Sequence, residues 1–149
     1  DVNDYLREAA PEGGFTAKDF RTWHGTVQAL ELTRLACSGG DAAEASRYSA
    51  KEILTAVAAQ LGNTPAVCKK AYVHPAVLSL GSTLAGDVGA MNDIWREISG
   101  NATSLRRLHA AEARLLVFLQ RHRRAQARAR PAQATPRVRR STSPARVTS

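Results

Sequence analysis

Apolar positions recur at helical spacing along most of the first 120 residues, and no stretch alternates long enough to predict a strand. Val2 to Ala10 reads as a short helix stopped by Pro11 and followed by a Gly13-Gly14 turn. Thr16 is an N-cap with Asp19 at the capping-box position. The helix it starts carries Phe20, Trp23, Val27, Leu30 and Leu35 as an apolar stripe, runs to about Cys37 and ends at Ser38-Gly39-Gly40. A third helix spans roughly Ser46 to Leu61, with Ile53, Leu54, Val57, Ala58 and Leu61 on one face and Gly62 as its stop. Thr64-Pro65 restarts a short helix that carries Val67, Lys69, Lys70 and Tyr72. After His74-Pro75 comes a weaker stretch with Gly and Ser, then helices at about Val88 to Ile98 and Ser104 to Arg124. Leu105, Leu108, Leu115, Leu116 and Leu119 give the last of these its packing stripe. The pattern predicts a mainly α fold without internal repeats and without a nucleotide-binding glycine loop.

Composition adds that the 149 residues suit one domain, and that 44% hydrophobic with 23% charged residues is a globular balance. The net charge of +8 is unevenly spread. Residues 1–120 hold 12 Lys+Arg and 13 acidic residues, whereas residues 121–149 hold nine arginines and no acid. That terminal stretch is rich in Pro, Ala, Ser and Thr and poor in large apolar residues, so it is expected to be disordered. Its arginines can displace counterions from a polyanion, which predicts salt-sensitive nucleic-acid binding without sequence readout; a solubilising tail is the alternative. No apolar run approaches the ~18 to 20 residues that span a bilayer, and Asp1, Asp4, Arg7 and Glu8 are too polar for a signal peptide. No membrane association is expected. Cys37 and Cys68 lack metal-site spacing and read as structural thiols of a reducing cytosol.

Three polar features interrupt the apolar helices: Arg21, the Gly62-Asn63-Thr64-Pro65 turn, and Tyr72 preceded by Lys69-Lys70. A tyrosine can attack a phosphodiester when neighbouring cations favour its phenolate. The planar fork of Arg21 matches two phosphate oxygens, and Asn63 can donate a further hydrogen bond. A continuous helix would put Asn63 and Tyr72 on opposite faces, at about 100° per residue, but Gly62 and Pro65 break it and a turn can bring both to one site. The plain alternative for Tyr72 is a half-buried core residue beside a solvated face. His24 and His74 lie close to the same features, either as bases or as a variable position and a structural contact, respectively. His109 and His122 have no assigned role, and Trp23 and Phe20 read as core rather than as a base-stacking platform.

The strings around these residues carry a resemblance. Phe15-Thr16-Ala17-Lys18-Asp19-Phe20-Arg21-Thr22-Trp23-His24-Gly25-Thr26, followed by Leu61-Gly62-Asn63-Thr64-Pro65-Ala66-Val67-Cys68-Lys69-Lys70-Ala71-Tyr72-Val73-His74-Pro75, resembles the catalytic core of type IB DNA topoisomerases, in the bacterial branch related to the poxvirus enzymes. Val2-Asn3-Asp4-Tyr5-Leu6 also fits, and Glu112 to Leu119 is a looser echo. The resemblance implies the helical catalytic fold shared by type IB topoisomerases and tyrosine recombinases. It implies residues 1–80 as the carboxy-terminal part of a catalytic domain, beside which periodicity and composition set 81–120 as a helical extension and 121–149 as a disordered Arg-rich tail. Tyr72 is then the nucleophile, forming a DNA 3′-phosphotyrosyl bond and releasing a 5′-hydroxyl; the broken strand rotates, supercoils relax and the strand is resealed without ATP or metal. Arg21 matches the arginine that clamps the phosphate. Asn63 stands where poxvirus-type enzymes usually have histidine and bacterial members can carry asparagine.

Lys18, Lys69, Lys70, Arg121, Arg123 and Arg124 are the expected DNA contacts, double-stranded DNA the partner, and a nucleoid-associated, cytoplasmic monomer the expected form. A tyrosine recombinase would normally show His-x-x-Arg, whereas Lys18 stands three residues before Arg21. A noncatalytic DNA-binding remnant is the second rival. The family's further catalytic arginine and its lysine general acid lie upstream of the matching strings, which together with a start at Asp1 reads as a partial chain. These 149 residues alone are therefore expected to cleave DNA very slowly or not at all; relaxation of supercoiled plasmid at an ordinary enzymatic rate in a gel assay contradicts this.

Overall fold

The computed structural model describes residues 2–38, 49–84, 87–105 and 107–130. Among these the chain forms helices α1 (Val2–Ala9), α2 (Ala17–Ser38), α3 (Ala50–Leu61) and the one-turn α4 (Pro65–Val67), which passes into a π-helical turn at Cys68–Tyr72. Helices α5 (Pro75–Leu84), α6 (Val88–Ala102) and α7 (Ala110–Ala129) follow, and no strand occurs among the described residues. The mainly α expectation holds. Among the described residues no helix is long and apolar enough to cross a membrane.

Helix α2 is the spine: α3, α5, the π-turn, α6 and α7 all pack on it. Its buried face is made mostly of small residues, Gly25, Thr26, Val27, Ala29, Thr33 and Ala36, with Leu30 the one large side chain among them. This corrects the expected stripe, because Phe20 and Leu35 are each more than half exposed. Small side chains let several helices approach the spine closely. The two threonines enter the core because each hydroxyl donates to a carbonyl one turn back, Thr26 to Thr22 at 2.7 Å and Thr33 to Ala29 at 2.8 Å. Leu30, Val57, Val77, Met91, Ile98 and Leu115 fill the space around them.

Four boundaries differ from those expected. Helix α3 starts at Ala50, where Ser49 and Glu52 form a capping box; the expected start at Ser46 lies outside the described residues. Residues 75–84, read as a weak stretch, are helical because His74 caps them, accepting the Ala76 N–H on Nδ1 at 3.1 Å, and Pro75 suits the first helical position. The expected helix from Ser104 to Arg124 is interrupted, and Leu105 lies in a turn. There the hydroxyls of Thr103 and Ser104 bond to the Gly100 and Asn101 carbonyls, while Glu112 accepts the His109 N–H to restart the chain as α7. Finally, residues 121–129 are helical rather than disordered. Ala, Arg and Gln sustain a helix without an apolar face, and Arg121 is tied to Glu97 at 3.0 Å. Residues 131–149, the rest of the expected tail, lie outside the described residues. The expected domain boundaries after residues 80 and 120 thus fall inside α5 and α7.

Both cysteines are free; Cys68 is buried, and the Cys37 sulfur accepts the Trp95 indole N–H at 3.0 Å. Burial raises both thiols above their ordinary range, which keeps them protonated.

A two-pronged ion pair joins α7 to α2. Arg114 donates Nε and Nη2 to the Glu31 carboxylate at 2.6 and 2.9 Å, and Arg34 adds a bond at 3.0 Å. Burial alone would raise the Glu31 carboxyl, but the bonds from Arg114 and then Arg34 outweigh it and hold it below its ordinary value of 4.5. A depressed carboxyl contributes stability above its unfolded value, and that contribution disappears as pH falls through the folded value. Glu31→Gln should therefore lower the unfolding free energy by about 1–3 kcal/mol at pH 7. Urea unfolding of both chains should show the difference closing as the pH drops below 4.5, and a gap independent of pH would refute the assignment.

Candidate active site

The site is built on the way α3 ends. Gly62 adopts φ 66°, a left-handed conformation that a side chain would strain, and the Asn63 N–H returns to the Ala58 carbonyl at 2.9 Å. The last carbonyls of a helix have no partner within it. The one at Leu61 accepts two side chains: Arg21 Nη2 at 2.8 Å and Asn63 Nδ2 at 3.3 Å. Thr64 then caps the next turn, its hydroxyl accepting the Val67 N–H at 3.3 Å, with Pro65 at the first helical position. From Cys68 the chain widens into the π-turn, closed by the Val73 N–H donating to the Cys68 carbonyl at 3.0 Å. Turns of this kind recur at functional positions, and Tyr72 is the last residue of this one.

Helix α2 faces this segment. The Arg21 guanidinium carbon lies 5.0 Å from the centroid of the half-buried Tyr72 ring, within cation–π range. Arg21, Asn63 and Tyr72 therefore meet at one place, Arg21 and Asn63 through the Leu61 carbonyl and Arg21 and Tyr72 directly. A guanidinium carries five N–H groups in a fixed fork, and the Leu61 bond occupies one. Lys18, one turn before Arg21, and Lys69 and Lys70 in the π-turn are exposed. Of the three arginines expected to reach DNA from the end of the chain, Arg123 and Arg124 are exposed on α7, while Arg121 is paired with Glu97.

Several residues at this place escaped the sequence reading. Thr22, Gly25 and Thr26 line the side of α2 that meets the main chain of residues 71–74. The Thr26 hydroxyl accepts the His74 N–H at 3.2 Å, and a Cβ on Gly25 would stand 2.8 Å from the Tyr72 carbonyl oxygen. The usable signal was the i, i+3, i+4 spacing of small residues, which places them on one helical face. Trp23 and Phe20 part company. Trp23 is half-buried and donates its indole N–H to Glu112 on α7 at 3.1 Å, whereas Phe20, expected in the core, is exposed and meets Phe15 edge to face at 6.4 Å.

His74 caps α5 and its ring touches that of His122, with centroids 6.2 Å apart. Burial, and then the facing His122, lower the His74 imidazole below its ordinary 6.5, so at neutral pH it is an uncharged acceptor for the Ala76 N–H. His24 is exposed. Among the described residues no cluster of three or more His, Cys, Asp or Glu could hold a metal ion.

The family model described as eukaryotic DNA topoisomerase I, catalytic core, matches residues 1–84, more than half of the 149 in the chain. The chain belongs to this family. Its members are DNA topoisomerases, isomerases that act on DNA, and DNA is accordingly the partner of this chain. A search of curated proteins gave no match. The topoisomerase I match covers α1 to α5 and so includes Arg21, Asn63 and Tyr72, whereas α6 and α7 lie beyond it.

The left-handed stop at Gly62 is open to test. Gly62→Ala should cost about 1 kcal/mol of stability through its backbone strain alone, because a Cβ there would meet nothing within 4 Å. Gly62→Asn should cost less, since asparagine tolerates that conformation. Equal losses in urea unfolding would show that the strain lies elsewhere.

Proposed function

We propose that this chain supplies the nucleophile and part of the phosphate clamp of a type IB topoisomerase of the bacterial, poxvirus-like branch, as the carboxy-terminal part of its catalytic domain. Duplex DNA is the substrate and the acting unit is a monomer. The observation that carries this reading is the guanidinium of Arg21 held over the ring of Tyr72 inside the family-matched segment. The Lys18 to Trp23 string supports the branch.

In the proposed reaction the Tyr72 oxygen attacks the phosphorus of a backbone phosphodiester and its phenolic proton passes to solvent. The new P–O bond to tyrosine forms as the P–O5′ bond breaks, and the departing O5′ takes up a proton. The products are a 3′-phosphotyrosyl link and a 5′-hydroxyl. One phosphate ester replaces another, so resealing is the reverse attack by the hydroxyl and needs no nucleotide. Arg21 and Asn63 donate to the nonbridging oxygens, where charge grows in the transition state. Both are already oriented by the Leu61 carbonyl, which lowers the cost of aligning them. Lys18, Lys69 and Lys70 would neutralise flanking phosphates, with Arg123 and Arg124 on α7 adding affinity that falls as salt rises.

The test uses duplex DNA with sulfur in place of the 5′-bridging oxygen at a nick-proximal linkage. A thiolate leaves without a proton donor, so the assay does not depend on a lysine acid outside the matched strings. With the upstream segment that carries the further arginine supplied in trans, a covalent adduct on a denaturing gel is expected with the parent chain and absent with Tyr72→Phe. Arg21→Ala should slow its formation by at least about 100-fold and Asn63→Ala by about tenfold. An adduct that persists in Tyr72→Phe removes the nucleophile assignment. Once the upstream catalytic segment that this reading requires is supplied, a salt-sensitive gel shift with no adduct marks a noncatalytic DNA-binding protein, and strand exchange at one defined sequence marks a recombinase.

A further inference from the structure

Thr26 occupies a place in the site that the proposed reaction does not use. It is 3% exposed, and its hydroxyl serves two separate elements. Its single proton goes to the Thr22 carbonyl at 2.7 Å, with the Tyr72 carbonyl as second acceptor at 3.4 Å, while its oxygen accepts the His74 N–H at 3.2 Å. One hydroxyl thus touches the main chain on both sides of Val73. The hydrogen-bond ladder of the π-turn ends with the Val73 N–H. The Tyr72 carbonyl and the His74 amide lie past it and require partners from elsewhere.

The rest of the same helix face closes on the same segment. The Thr22 hydroxyl bonds to the Lys18 carbonyl at 2.9 Å and reaches the Ala71 carbonyl at 3.3 Å. Gly25 has no side chain where a Cβ would come within 2.8 Å of the Tyr72 carbonyl oxygen and 3.1 Å of Leu61 Cδ1. Arg21 stands on this helix too, so the distance from guanidinium to ring is set by how the π-turn sits on α2.

We infer that Thr26 is a positioning residue for Tyr72: its buried hydroxyl fixes the main chain beyond the π-turn at the register that puts the Tyr72 ring beneath Arg21. Thr26 touches no reacting atom. Its effect on the reaction rests on the assignment of Tyr72 as the nucleophile, but its effect on the position of the ring does not.

The experiment compares Thr26→Val, which keeps the shape and loses the hydroxyl, with Thr26→Ser, which keeps the hydroxyl. On saturating phosphorothiolate duplex, Thr26→Val should form adduct about tenfold to a hundredfold more slowly, while Thr26→Ser stays within about threefold of the parent. Duplex affinity by gel shift should change by less than about twofold in both, since no phosphate contact is removed. A purely structural role predicts instead a loss that follows stability in urea, not one rescued by serine at equal stability.

The position of the ring is read separately by 19F NMR of chains carrying 3-fluorotyrosine at all three tyrosines, with the Tyr72 signal identified by its absence in Tyr72→Phe. That signal should move in Thr26→Val and return in Thr26→Ser; Thr26→Ala replaces Thr26→Val if the latter does not fold. A Thr26→Val chain with the parent's rate, a serine variant as slow as valine, or an unmoved signal overturns the inference. A parent chain that forms no adduct even with the upstream segment supplied sinks the nucleophile assignment instead, and the 19F signal then decides the inference alone.

Discussion

One carbonyl oxygen joins the parts of this site. Because α3 stops at a left-handed glycine, the Leu61 carbonyl is released from its helix and takes Arg21 from α2 and Asn63 from the following turn. The negative end of the α3 dipole adds an attraction for the guanidinium. An arginine left on a bare helix surface would sample many rotamers, and fixing one costs up to about 2 kcal/mol of side-chain entropy. Here the fork is held in advance by an oxygen on one side and the face of Tyr72 on another. The arrangement depends on the packing of α3 against α2, so core packing and the aim of the arginine are one problem.

The spine α2 solves that problem with small residues. Its core face presents Gly25, Thr26, Ala29 and Thr33, and close approach there brings α3, the π-turn and α7 against one rod. Helix α7 adds tethers on both sides of the site. Glu112 takes the indole N–H of Trp23, two residues from Arg21, and the His122 ring meets that of His74, two residues from Tyr72. The Glu31–Arg114 pair fixes the same helix farther along α2. A segment outside the family match is in this way part of the support for residues inside it.

Features decided by local chemistry were legible in the sequence. The Gly62 stop, the Thr64-Pro65 restart and the Thr16–Asp19 start of α2 all form where their residues indicated, the last with Asp19 accepting both the Thr16 N–H and its hydroxyl. Features decided by packing were not. Hydropathy places threonine outside and phenylalanine inside, yet Thr26 and Thr33 are buried and Phe20 is exposed, because a hydroxyl bonded to its own helix carries little polarity into a core. Leucine spacing continued through residues 104–109 although Ser and Thr hydroxyls had already turned the chain. As for the site, residue types and motif strings named Arg21, Asn63 and Tyr72, but what unites them is the Leu61 carbonyl and the main chain after Tyr72. Main-chain atoms have no residue-type signature, so the strings could name the participants without revealing the bond between them.

The charge distribution takes on a different meaning once α7 is in place. Residue 122 is fifty positions from Tyr72 in the chain, yet its ring rests on His74, so the arginines that follow begin beside the Tyr72 segment. Nine arginines on a disordered chain would each be ordered at a cost when they met phosphate. Arg123, Arg124 and Arg128 instead stand on a helix whose backbone is already fixed, and Arg121 is partly neutralised by Glu97. Under the proposed function the helical part of the basic stretch acts as a preformed edge of the DNA surface next to the chemistry. Its affinity is then tied to the same α7 contacts that steady Trp23 and His74, so loosening α7 would weaken DNA binding and disturb the site together.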